Sequence, residues 1–498
     1  MKKTQEKKTL PSSLLNGIVF LSGTVVMILE LTGSRILAPY VGGSLPVWTG
    51  LIGIILGSLS IGYMLGGKLA DQKPTYTMLG FILLVSALVL CLIPVASKTL
   101  LPIIVAISYD IRVTAVLAAL ILFALPSVLL GMVSPYAIRL SLESVSTSGE
   151  TAGKLYALST VGSIAGTFFA GFFLISYFGN QTIVYALAAL LFLLAGMAAW
   201  KSFFRKIPHI TLVIAIIVTA DFVSSDFTKN LLDADTSYNR VIIYDTKDHR
   251  TQRPIREMLI GNERSSAMFL DGNDLVYDYT NYYRLSEHFL PDITHGLMIG
   301  GAGYSYPKYL QQTFPKARVD VVEIDPKLTD FAKEYFAFTP TPNITVYHED
   351  ARTFFNREEK EYDVIFNDAF ASYYSHPFQL ATREAIQHMA NMITPNGIVM
   401  SNIISALDGD KGKFLQAEYH TYKSVFPYVY VFPVRTIENP YSAQNIMVVA
   451  SKEKLALTSE DKEMQEYLSH LWKKEIPHVQ ILTDEYAPVE QYAMKMFE

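Results

Sequence analysis

The stretch HGLMIGGAGYSYPKYLQQTFPKARVDVVEIDP, residues 295–326, decides the fold. Leu297 to Ile299 reads as a short apolar strand. Gly300, Gly301 and Gly303 follow in a loop almost free of side chains. The pattern predicts a helix from about Tyr306 to Thr313 and a second strand from Val319 to Ile324, which ends on the acids Glu323 and Asp325. Strand, glycine loop, helix and strand make a unit that closes on a carboxylate. Glycines let the backbone approach a nucleoside-bearing ligand, and an acid at the tip of the second strand accepts hydrogen bonds from both ribose hydroxyls. An ordinary crossover with a glycine-rich turn has the same outline. The acid roughly twenty residues after the loop favours the nucleoside.

Around this unit the chain is long and oily. It has 498 residues, more than one ordinary domain holds. Half of them are hydrophobic and 17% are charged, against about 25% in soluble domains, so part of the chain belongs in lipid. The net charge of −5 gives no reason to expect nucleic-acid binding. The single cysteine, Cys91, excludes a disulfide framework and a cysteine-based zinc site.

A polar tail, 1–13, precedes a membrane domain expected over 14–223. Apolar runs of bilayer-crossing length fall near 14–37, 47–70, 77–97, 112–135, 154–177, 181–200 and 208–223. The first is too long for a signal-peptide core and reads as retained. A further segment, 99–109, is too short to span and reads as re-entrant or as a helical extension. Gly53, Gly57, Gly62, Gly66 and Gly67 have the spacing that lets helices pack closely in lipid. Glu30 and Arg35 lie within the first span, either as a buried pair or ligand site, or as an interface anchor and an assembly contact. Basic residues cluster in the tail, at Lys68 and Lys73, at Arg139 and Lys154, and at Lys201, Arg205 and Lys206. With seven spans, that pattern puts the N-terminus in the cytosol and the C-terminal half outside. A nucleoside-cofactor enzyme is expected to face the cytosol, so either the span count is off by one, through 99–109, or the domain is external.

After about 224 the composition turns polar. Residues 224–290 read as a small β-subdomain of short antiparallel strands with turns at Asn262 and Asp271–Gly272. From 291 to 498 strands and helices alternate, the pattern of a Rossmann-like α/β domain with a doubly wound parallel sheet. The tail beyond 454 is charged and reads as helical.

Ligands of such sheets sit at the carboxyl ends of the strands. Glu349 and Asp350 follow the third strand and suit the exocyclic amine of adenine, or the cap of the next helix. Asp368 follows the fourth strand, where it suits a proton acceptor, a cation site or a loop cap. His376 lies in the same loop and reads more readily as structural.

Here a resemblance enters. IGGAGYS (299–305), VDVVEIDP (319–326), HEDARTF (348–354), YDVIFNDAF (362–370) and LATREAIQHMANMITPNGI (380–398) resemble the spermidine synthase family, the polyamine aminopropyltransferases. The strands at 237–272, with LDGN at 270–273, resemble that family's β-subdomain. LELTGSRILAPYVGGSLPVWTG (29–50), LSIGYMLGGKLAD (59–71), LLGMVSPYAIRL (129–140) and GKLYALSTVGSIAGTFFAGFFL (153–174) resemble the membrane module of its multi-spanning members. The resemblance implies decarboxylated S-adenosylmethionine as co-substrate, an amine such as putrescine as acceptor, and no prosthetic group or metal. It implies that Gly300, Gly301, Gly303, Glu323, Asp325, Glu349 and Asp350 hold the nucleoside, with Glu323 on the ribose and Asp350 on the adenine side. Asp368 would be the catalytic proton acceptor, with Tyr283, Arg284 and Tyr304 beside the amine. A bilayer, small-molecule substrates and a homo-oligomer are the implied partners.

The departures fall on the amine side. The family's loop aspartate is replaced by Gly303, its glutamine after the LDG turn falls on Leu275, and its Tyr-His pair falls on Tyr283–Arg284. An arginine there repels a diamine unless an acid neutralises it. Tyr277, Tyr279, Tyr282, Tyr283, Tyr304, Tyr306, Tyr373 and Tyr374 suit an aromatic cage for a cation, or simply the core. The soluble motifs fit the wider S-adenosylmethionine-dependent methyltransferase fold nearly as well. Glu30 and Arg35 keep open a non-catalytic transport or sensing protein with a nucleoside- or polyamine-binding domain.

Overall fold

A computed structural model describes residues 11–107, 110–142, 144–199, 230–261, 263–370 and 377–496. The chain divides into two units, at Lys229 and Asn230.

Among the described residues of the first unit, six helical segments are long and apolar enough to cross a membrane: Ser12–Val41, Leu45–Gln72, Tyr76–Ile107, Ile111–Ser141, Val145–Tyr177 and Asn180–Ala198. The seventh expected span, 208–223, lies outside the described residues. The short segment from 99 continues the third helix to Ile107, through Pro102, so the extension and not the re-entrant reading holds. Glycines decide the packing at particular points. A Cβ on Gly62 would stand 2.2 Å from the Val128 carbonyl oxygen, and one on Gly162 would stand 2.0 Å from that of Phe20. Backbones that close leave room for hydrogen only. Gly66 likewise faces Met132, but Gly53, Gly57 and Gly67 have no neighbour within 4 Å. The expected glycine stripe thus packs through two of its five members. Glu30 and Arg35 are both part-buried.

The second unit opens with four antiparallel strands in chain order: β1 (Asn230–Asp235), β2 (Arg240–Lys247), β3 (Pro254–Ile260) and β4 (Glu263–Phe269). The LDGN turn after β4 is clamped by Arg253, which donates to Asp271 at 2.7 Å and Asp274 at 2.8 Å.

A seven-stranded sheet follows, made of β5 (His295–Ile299), β6 (Arg318–Val322), β7 (Ile344–Tyr347), β8 (Tyr362–Asn367), β9 (Ile393–Ser405), β10 (Tyr428–Pro433) and β11 (Gln444–Ser451), in the order β10-β11-β9-β8-β5-β6-β7. The five strands β5 to β9 are parallel, but β11 runs antiparallel to β9, and the edge strand β10 antiparallel to β11. The sheet is therefore mixed, not wholly parallel. Alternate residues feed two cores. Leu297, Ile299, Ile365 and Val399 pack on one face, and Met298, Val321, Phe366 and Met400 on the other. A sheet covered on both faces needs near-continuous apolar strands, as these are. The tail, expected to be helical, is so in part: among the described residues beyond 454, Lys462–Ser469 and Val489–Met494 are helical.

The chain winds outward from β5 through β6 to β7, then returns to β8 on the other side. The order reverses between β5 and β8, and in such sheets ligands bind at the strand ends beside that point.

Candidate functional site

The glycine loop leaves β5 at Gly300, whose N–H donates to Val322 O at 2.9 Å. Gly300 has φ +90°, a conformation that suits glycine. A Cβ on Gly301 would meet the Tyr304 ring at 2.8 Å. Tyr304 itself is left-handed (φ 55°) and begins the helix Ser305–Thr313. This strained entry turns its ring inward. Tyr304 is fully buried, stacks on Phe338 with ring centroids 4.1 Å apart, and shares a 2.7 Å hydrogen bond with Thr329. It supports the loop from beneath and does not face the crevice where an amine was expected.

Glu323 organises the loop from the end of β6. One carboxylate oxygen accepts from the N–H groups of Gly301 (2.8 Å) and Ala302 (3.0 Å), and the other from Asp325 N (2.9 Å). Burial raises its pKa, while these three N–H groups hold it back. A carboxylate offers about four acceptor positions, so one remains for a ligand. Asp325 caps the helix Pro326–Tyr335 through Lys327 N at 3.0 Å.

At the end of β7, Asp350 caps the helix Ala351–Arg357, accepting from Arg352 N (2.9 Å) and Thr353 N (3.1 Å). Glu349 forms an ion pair with Arg357.

Asp368 follows β8, and its N–H donates to Ile299 O at 3.0 Å, which ties it to the strand that launches the glycine loop. Asn402 of β9 donates to its Oδ1 at 2.9 Å, and Asn445 of β11 donates in turn to the Asn402 oxygen at 3.0 Å. The hydroxyls of Tyr283 and Tyr279 face the same carboxylate. Burial pushes the Asp368 carboxyl up to about 7, against the opposing pull of Asn402, Tyr283 and Tyr279. Neither asparagine was singled out from sequence. The signal was a polar residue inside the apolar run GIVMSNIIS.

The amine-side positions have separate explanations. Ser266 of β4 fills the space beside Gly303: its Oγ accepts from Gly303 N at 3.0 Å, and a Cβ on residue 303 would lie 2.7 Å from the Ser266 Cβ. Arg284 is neutralised by Glu463 (2.6 Å) and Glu287 (3.7 Å). Leu275 is buried and bridges to Met268. Of the tyrosines considered for a cage, Tyr277 donates to Glu257, Tyr282 bonds to His470 and Tyr306 donates to Tyr283 O. Only Tyr279 and Tyr283 face Asp368 among the described ones; Tyr373, Tyr374 and His376 lie outside the described residues. Among the described residues there is also no cluster of side chains able to hold a metal ion.

A model of the spermine/spermidine synthase domain matches residues 293–462. The chain is similar to a polyamine aminopropyltransferase of Vibrio vulnificus, 29% identical over 202 residues that cover 40% of this chain and 65% of the relative. It is also similar to an eEF1A lysine and N-terminal methyltransferase of Bos taurus, 29% identical over 188 residues, covering 36% of this chain and 26% of the relative. Among solved structures, it is similar to a probable spermidine synthase from Corynebacterium glutamicum, at 21% identity and a TM-score of 0.40, over 46% of this chain and 82% of that one. The chain thus spans less than two thirds of the length of these curated relatives. Its second unit carries a spermidine synthase-type α/β domain.

Proposed function

We propose that the second unit transfers an aminopropyl group from decarboxylated S-adenosylmethionine to an amine such as putrescine, giving spermidine and methylthioadenosine. The observation that carries this reading is Asp368, a buried carboxyl poised near neutrality, at the switch point of the sheet and tied to the glycine loop through Ile299. A base with a pKa near the working pH is suited to take a proton from an ammonium group.

In this reading Gly300 and Gly301 admit the nucleoside, Glu323 binds the ribose with its remaining acceptor position, and Asp350 serves the adenine side. Asp325 and Glu349 brace those two strand ends. The amine enters beside Tyr279 and Tyr283 and gives a proton to Asp368. Its free lone pair attacks the aminopropyl carbon bonded to sulfur. The carbon–nitrogen bond forms as the carbon–sulfur bond breaks, and the electron pair goes to sulfur, which leaves as a neutral thioether. The new secondary amine carries the positive charge. The sulfonium is already a good leaving group, so no metal is required by the chemistry. The apolar helices would hold the protein in the cell membrane with this unit on the cytosolic side.

The test is to incubate detergent-purified protein with decarboxylated S-adenosylmethionine and a panel of amines, and to follow methylthioadenosine by mass spectrometry. Product that depends on both substrates is expected. Its absence with every amine, while S-adenosyl compounds still bind, would overturn the reading. A second reading, methyl transfer from S-adenosylmethionine, is favoured by one observation: Ser266 occupies the space where the family's amine-contacting aspartate would stand. S-adenosylhomocysteine formation in the same assay would support it.

A further inference from the structure

Buried acids in the second unit are almost all provided for. Glu257 accepts from Tyr244 and Tyr277, Asp320 from Lys360 and Tyr362, and Glu323 from three backbone N–H groups. Glu418 stands apart. It lies on the helix Lys413–Lys423, is 6% exposed, and among the described residues its carboxyl has no hydrogen bond or ion pair.

Its carboxyl lines a small cavity at the ends of β8 and β9. Asn367, Ser401 and Asn402 supply polar groups, and Leu380, Phe414 and Ile403 supply apolar wall. No lysine, arginine or histidine is among the described residues that line it. No hydrogen bond joins Glu418 to the neighbouring Tyr422, whose hydroxyl is bonded to Ser401 at 2.5 Å. Burial alone pushes the Glu418 carboxyl up to about 8. An acid without a partner in such a place is costly, and a cation that fills the cavity offsets the cost. The mixed lining suits a charged head on a short methylene chain. Asn402 forms part of this wall and also donates to Asp368, so the cavity is one side chain away from the proposed base.

We propose that this cavity receives an aliphatic ammonium group, with Glu418 as its counter-charge. The inference rests on the aminopropyl-transfer reading for the source of that group, which has two forms. It is either the ammonium of the donor's aminopropyl arm or the far ammonium of a diamine acceptor.

The experiment is calorimetric titration of the full-length, detergent-purified protein and of Glu418→Gln, which keeps the side-chain shape and removes the charge. Decarboxylated S-adenosylmethionine, methylthioadenosine and 1,4-diaminobutane are the probes. A loss of at least tenfold in affinity for the decarboxylated donor, with methylthioadenosine unchanged, assigns the cavity to the donor. The same loss for the diamine alone assigns it to the acceptor. Unchanged affinity for both, or no binding of either by the unaltered protein, overturns the proposal. Ala381→Leu, which adds bulk to the lining of the cavity, is expected to give the same loss and serves if Glu418→Gln does not fold. Binding is read without turnover, so the two readings separate. Methylthioadenosine formation with no effect of Glu418→Gln defeats the cavity alone. Charge-dependent binding without any methylthioadenosine defeats aminopropyl transfer alone.

Discussion

The backbone carbonyl oxygen of Asp368 lies 2.6 Å from the point where a Cβ on Gly300 would stand. The nucleoside loop and the loop that carries the proposed base are therefore in backbone contact. Gly300→Ala would add a clash with main chain and also place a non-glycine residue at φ +90°. Left-handed backbone costs roughly 1–2 kcal/mol and overpacking roughly 1–3 kcal/mol. The variant is expected to lose a few kcal/mol of stability and to lose nucleoside affinity and turnover together. Thermal unfolding and calorimetry on the same sample check this. Loss of turnover with intact nucleoside binding would count against the coupling.

Asp368 sets the pH profile. Activity is expected to rise through about pH 7, as the buried carboxyl ionises and becomes able to accept a proton. Asp368→Asn should remove that limb and lower kcat by roughly 10²–10⁴, the range of general base catalysis. The stability effect has the opposite sign. A carboxyl with a raised folded pKa stabilises most when both states are protonated, below its ordinary value near 4. That contribution then declines until the folded carboxyl ionises near 7. Asp368→Asn should flatten this part of the curve and raise the melting temperature at pH 8. Melting curves from pH 4 to 8 decide it.

Asn402 and Asn445 act on the base from behind. The Asn402 amide donates to Asp368 and so favours its ionised form, while Asn445 fixes which way that amide points. Asn402→Ala is expected to move the rising limb of activity to higher pH and to lower the rate below it. Asn445→Ala should give a smaller shift in the same direction, because the donor remains but is free to turn. Paired pH–rate profiles test this. A uniform loss at every pH, with the limb unmoved, would mark the pair as structural only.

What was legible in the sequence was what is local. Gly300, Gly301, Glu323 and Asp368 stand out because strand, turn and acid follow one another within a few residues. Asn402, Asn445 and Glu418 were not legible, since each gains meaning only when elements distant in the chain are brought side by side. Tyr304 was expected at the amine and lies in the core, because its left-handed backbone, not its neighbours in sequence, aims the ring.

Gly303 and Ser266 form a testable pair. Restoring an aspartate at 303 alone drives a Cβ to within 2.7 Å of the Ser266 Cβ and 3.1 Å of the Phe336 ring. The glycine is the residue the packing of β4 against the loop demands, so Gly303→Asp should destabilise the protein and lower activity. Ser266→Gly clears the nearer clash at the cost of one hydrogen bond to Gly303 N. The double variant is expected to recover part of the stability lost in Gly303→Asp. Residues in direct contact typically show coupling of roughly 0.5–3 kcal/mol in such a cycle. Additive effects would mean that Ser266 does not govern position 303.

In the first unit, Gly162 meets the Phe20 carbonyl oxygen where a Cβ would stand 2.0 Å away, and Gly23 meets that of Ser159 at 2.3 Å. The contact is reciprocal, and hydrogen bonds from Thr24 to Gly162 O (2.9 Å) and from Ser163 to Gly23 O (3.2 Å) run beside it. In lipid, close backbone approach and such bonds are what hold helices together, because burying apolar side chains gains little there. Gly162→Ala should therefore push Ser12–Val41 and Ser148–Phe169 apart and cost roughly 1–3 kcal/mol. Gly53→Ala, with no neighbour within 4 Å, should cost little. Thermal aggregation of the two variants in the same detergent compares them directly. Equal loss in both would show that the close contact does not govern these glycines, since alanine by itself favours a helix over glycine.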